Sequence, residues 1–114
     1  MRYVLLICGD ENAMLAAGPD DTARMMEGYD AFGKEMVGRG VLQGGERLRP
    51  TSDATTVRVR DGEVLASDGP FAETKEQMGG YFVVDCKDLD EAIEVASKIP
   101  AAVHGSIEVR PIWE

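Results

Sequence analysis

Ionisable side chains crowd into one short stretch of this sequence, DGPFAETKEQMGGYFVVD, residues 68–85. A turn-forming Asp68-Gly69-Pro70 runs through Phe71 into Glu73, Lys75 and Glu76, and a glycine pair then leads into an apolar, strand-like run. Carboxylates and an ammonium on a loop that feeds a strand can grip a polar ligand or move protons, because binding residues concentrate on loops carried by a rigid scaffold. The sole histidine, His104, stands just before the last strand-like run, and its ordinary pKa near neutrality suits a general base. Glu108 and Arg110 alternate with Ile107 and Val109, so on a strand they share one face. If this chain performs acid–base chemistry, Asp68 and His104 are its candidate catalytic residues. Glu73, Lys75 and Arg110 are the candidate ligand-binding residues of a small polar cleft.

Each of these residues also has a purely structural reading. An Asp ahead of Gly-Pro can accept hydrogen bonds from downstream main-chain amides and hold a turn, with Phe71 as the apolar plug of that turn. A charged loop such as the one around Glu73, Lys75 and Glu76 is ordinarily just solvated. His104 follows Pro100 closely, where a surface turn is expected, and no orienting carboxylate is apparent for it. No phosphate-cradling glycine loop precedes a helix, and there is no Gly-x-Ser-x-Gly elbow, no paired histidines and no Cys-x-x-Cys. No cofactor and no metal site are therefore expected.

The elements that must position these groups are bounded by composition. At 114 residues the chain is long enough for one domain, residues 1–114, and too short for two cores. With 44% apolar and 29% charged residues it reads as globular, and the net charge of −9 argues against direct contact with nucleic acid. The amino-terminal MRYVLLIC superficially resembles a lipoprotein signal. Its apolar run is too short, though, and Ile7 is too large for a cleavage position before Cys8. No other run approaches a membrane span, so a cytoplasmic location away from membranes is expected. Cys8 and Cys86 end strand-like runs far apart and read as small buried hydrophobes.

Arg2 to Cys8 has the β-branched and aromatic character of a buried strand, followed by a loop, GDENAMLAAGPDD. Pro19, Asp20 and Asp21 suit the first turn of a helix, along which Met25, Tyr29, Phe32 and Met36 make one apolar stripe ending near Arg39. Gly40 is placed for a left-handed cap, and Gly28 and Gly33 suggest close packing. Val41 to Arg49 reads as a strand bent at Gly44-Gly45. Thr55 to Arg60 and Glu63 to Ser67 flank Asp61-Gly62, a hairpin dipeptide, with Arg58 and Arg60 on the wet face. Gly80 to Cys86 reads as a central strand. Asp88 with Glu91 opens a second helix along Leu89, Ala92, Ile93, Ala96 and Ile99, which Pro100 stops; a strand from Ser106 to Trp113 follows.

Two strand–helix–strand units of this order, joined by right-handed crossovers, predict a ferredoxin-like α+β fold: a four-stranded antiparallel sheet, two helices on one face and an extra β-hairpin. The other sheet face would then be apolar and uncovered, so a homodimer that packs sheet against sheet is expected.

The long motif DGPFAETKEQMGGYFVVD, with RYVLLICGDE, FGKEMVGRGVLQGGERL and HGSIEVRPIWE, resembles the YCII-related proteins over essentially the whole chain, and in particular their branch named for Asp-Gly-Pro-Phe. The resemblance implies a ferredoxin-like chain pairing into a dimeric α/β barrel. It leaves three functional readings open: a small-molecule-binding or accessory domain, a cofactor-free lyase or isomerase, and an interaction module. The third rests on family context, since some relatives are encoded beside extracytoplasmic-function sigma factors, making a sigma factor an expected protein partner. A more distant relative is a dehydrochlorinase whose His-Asp pair places the histidine on the first helix. This chain has no histidine there, so that mechanism does not carry over.

Overall fold

The computed structural model describes the whole chain, residues 1–114. The period-two runs form β1 (Arg2–Gly9), β2 (Leu42–Arg47), β5 (Gln77–Asp85) and β6 (Ser106–Pro111), which pair in the order β2-β5-β1-β6. All three pairings are antiparallel, and the two most apolar strands, β1 and β5, take the central positions. A separate two-stranded ribbon joins β3 (Thr55–Arg60) to β4 (Glu63–Asp68) through Asp61-Gly62, both in the left-handed region at φ 51° and 76°. Positive φ at both turn residues matches the twist of the flanking strands, which is why Asp-Gly sits there.

The helices are α1 (Glu11–Leu15), α2 (Pro19–Gly38) and α3 (Leu89–Ser97). The short α1 replaces the loop expected after β1; its start is legible in hindsight, because the Asp10 carboxylate accepts from the Ala13 N–H at 3.2 Å. α2 spans the expected residues, and Gly40 adopts φ 73° just past its end. Close packing accounts for Gly28 alone of the two helix glycines: a Cβ there would lie 3.0 Å from Pro100 Cγ, whereas one at Gly33 would meet open space. α3 begins where Asp88 accepts from the Glu91 N–H at 2.9 Å. Its buried face is Ala92, Val95 and Ala96, however, while Leu89 and Ile93 are exposed. Two alanines and Val95 turn inward, while the longer Leu89 and Ile93 stay at the surface.

Register sorts the sheet residues into two faces. Tyr3, Leu5 and Ile7 of β1 pair with Val84, Phe82 and Gly80 of β5, and these positions face the helices. Leu5, Val84, Met36, Val95 and Ile99 are the fully buried centre of a core that also holds Phe32, whose ring sits 4.9 Å from that of Phe82. Each such side chain stabilises the fold by about 1.5–3 kcal/mol relative to exposure. The opposite face carries Val4, Leu6, Tyr81 and Val83, all only half-buried, with Glu108 and Arg110 beside them. No helix is long and apolar enough to cross a membrane.

Candidate functional site

A cleft of about 430 Å³ opens between the first half of α2, α1 and the neighbouring ends of β1, β2 and β5. Its wall on α2 is built by Met25, Met26 and Tyr29, which helical spacing brings to one side of the helix. Ile7, Met78 and Phe82 contribute from the sheet, Met14 and Leu15 from α1, and Ala101 from the 3-10 turn Pro100–Val103. The chain has 6 methionines. Met14, Met25, Met26 and Met78 all border this cleft, whereas Met36 lies in the core and Met1 at the amino terminus. The sheet side of the cleft depends on a close strand approach at the β2 irregularity between Leu42 and Gly44. A Cβ on Gly45 would fall 2.5 Å from the Tyr81 carbonyl oxygen, so only glycine fits there.

One polar network closes the rim. The Glu11 carboxylate accepts from the Thr51 N–H at 2.7 Å and from the Thr51 hydroxyl at 2.9 Å, while the Glu11 N–H donates to Gln77 Oε1 at 3.0 Å. Gln77 in turn donates to the Thr74 carbonyl. Three segments remote in sequence, α1, the 3-10 turn Thr51–Asp53 and the loop before β5, are thereby tied together. Burial, partly offset by the backbone at Ala101 and by Arg47, raises the Tyr29 pKa, so the phenol stays protonated and can donate.

The residues singled out in the sequence lie elsewhere, and none of Asp68, Glu73, Lys75, His104 and Arg110 lines this cleft. Asp68 ends β4 opposite Thr55, and its carboxylate accepts no hydrogen bond within the chain. The turn it begins is held instead by the Gly69 N–H to the Ala54 carbonyl at 2.7 Å and by the Thr56 hydroxyl to the Gly69 carbonyl at 2.8 Å. Pro70 has no N–H to offer, so the Asx-type turn expected there does not form. Phe71 is no plug either: it is 81% exposed, because the β3–β4 ribbon projects from the main sheet and gives the ring nothing to pack on.

Glu73 and Lys75 are exposed on the loop and form no ion pair within the chain. Glu76 has a clear partner, accepting from the Ser106 hydroxyl at 2.7 Å and pinning the loop to the start of β6. Burial, then the charges of Glu108 and Glu76, raise the Cys8 thiol, which keeps it from being a ready thiolate nucleophile. His104 is exposed beyond the 3-10 turn, with its N–H bonded to the Ala101 carbonyl at 3.2 Å. Arg110 pairs with Glu108 on the uncovered sheet face. Sequence reasoning missed Glu11, Arg47 and Gln77 as rim residues. Nothing in the local spacing marks them, since their neighbours across the cleft come from separated segments.

These features define an α+β protein whose strand order is consistent with the ferredoxin-like plan and which carries a methionine-lined cleft under one helix. The chain belongs to the YCII-related domain family, which matches it over residues 1–114. It is 40% identical over 114 residues to an uncharacterised protein of Rhizobium meliloti (strain 1021), an alignment covering 98% of this chain and 92% of that protein.

Proposed function

We propose that this protein is a homodimeric small-molecule-binding protein whose ligand occupies the cleft between α1, α2 and the sheet. One observation carries the reading: four of the six methionines border that single concavity. Thioether side chains are unbranched and polarizable, so they adapt to an apolar guest better than a rigid wall does. The volume of about 430 Å³ also lies within the roughly 300–1,000 Å³ usual for small-molecule sites. The loop carrying Asp-Gly-Pro-Phe serves this site indirectly, through Gln77 and Met78 at its strand end.

The homodimer is supported by two unpartnered apolar surfaces. Val4, Leu6, Tyr81 and Val83 are half-buried on the open sheet face. On the ribbon, Val57 pairs with Ala66 and Val59 with Val64, so one face carries four exposed apolar side chains. A lone two-stranded ribbon is marginal in water, and a second copy of the chain would cover both surfaces.

The binding reading is tested by methyl NMR of methionine-labelled protein titrated with neutral indole. The Met14, Met25, Met26 and Met78 methyls are expected to shift along one saturation curve while Met1 and Met36 stay in place. A titration that moves none of the four, or all six alike, removes the reading.

A further inference from the structure

The geometry points to an apolar or aromatic carboxylate as the ligand class, with Arg47 receiving its charge. This inference rests on the cleft being the binding site. Arg47 lies in the register of β2 opposite Gly80, on the helix-facing side of the sheet, and its guanidinium reaches across the cleft to within 3.9 Å of Met26 Sδ. That thioether contact is its sole side-chain partner, and a sulfur is a poor acceptor for a cation.

The other charges around the cleft are already committed or turned away. Glu11 is held by Thr51, Asp30 pairs with Lys34 at 3.0 Å, and Arg49 pairs with Asp53 at 3.0 Å. Glu46 precedes Arg47 on the strand and pairs in register with Tyr81, so its side chain points to the opposite sheet face. Against the apolar wall Arg47 is thus the one charge without an oxygen partner, whereas the Glu11 carboxylate keeps its charge but has both oxygens occupied by Thr51. A guanidinium beside thioethers and aromatic rings is matched by a planar carboxylate, whose two oxygens can accept two parallel N–H bonds. The protonated Tyr29 hydroxyl on the same wall supplies a further donor. An apolar body on the ligand would then lie along the methionines.

The test compares indole-3-carboxylate with neutral indole by isothermal titration and by the same methionine methyl shifts. The parent protein is expected to bind the carboxylate at least about tenfold more tightly than indole, since a charge-assisted hydrogen bond is markedly stronger than a neutral one. Arg47→Met should abolish that preference, read as the ratio of the two affinities within each variant, while Arg47→Lys keeps part of it. Arg58→Met, on the ribbon, should change nothing. The carboxylate inference is overturned if the parent binds both probes equally, or if Arg47→Met retains the preference. Failure of both probes to move the four methyls would instead overturn the cleft reading beneath it, and the inference with it.

Discussion

Glu11 and Asp68 are both acidic residues beside a turn, yet only one of them has anything to hold. The Glu11 carboxylate meets two donors of Thr51, and its own N–H is taken by Gln77. Asp68 meets none, because the nearest amide is spent on Ala54 and the next residue is proline. Glu11→Ala should therefore cost about 1.5–3 kcal/mol in a urea denaturation series, the range for bonds to a charged acceptor. Asp68→Ala should stay within about 0.5 kcal/mol of the parent, as for a surface site without partners. Equal losses in the two variants would mean that the Glu11 network adds nothing to the fold.

Between elements, α2 and α3 carry a charge network at the surface of the core they share. Arg39, at the end of α2, bonds Glu94 of α3 at 2.7 Å, and Lys98 bonds Glu35 at 2.9 Å. The Lys98 ammonium holds the Glu35 carboxyl below its ordinary value, and the Arg39 guanidinium does the same for Glu94. Both carboxylates have folded pKa values below their unfolded ones. Their stabilisation is then complete above pH of about 4.5 and is lost as pH falls through the lowered folded values. Because the groups are solvent-exposed the effect is small, and salt should weaken it. Melting temperature measured from pH 6 down to pH 3 should fall more steeply in the parent than in Arg39→Met. Parallel curves would show that the network contributes no linkage.

Over the whole molecule, the dimensions of 48 × 41 × 19 Å describe a plate one helix layer and one sheet thick. Only 12 of 114 residues are buried, and much apolar surface stays open, from the half-buried sheet face to Phe71. Light scattering at micromolar concentration is expected to give twice the 12.4 kDa chain mass. Val83→Lys, on the open face, should return the mass to that of one chain while keeping the circular dichroism of the parent. A parent that scatters as a single chain would refute the dimer.

What the sequence determined by itself was whatever depends on neighbours along the chain. Short apolar, β-branched runs marked β1 and β5, helical period marked α2, the Asp88 cap marked the start of α3, and Asp61-Gly62 marked the hairpin. The order β2-β5-β1-β6 is consistent with the ferredoxin-like plan to which two strand–helix–strand units pointed. The cleft was not legible, because its members come from four separated segments. Neither Arg47 nor Glu11 announces itself by local spacing, and the methionine stripe on α2 reads equally well as core. Only tertiary packing decided which face of that stripe stays open, which charges find partners, and that the conspicuous charged loop runs into the cleft wall at Gln77 and Met78. Side-chain commitment is a property of contacts between distant residues, and it leaves no periodic trace in the order of the amino acids.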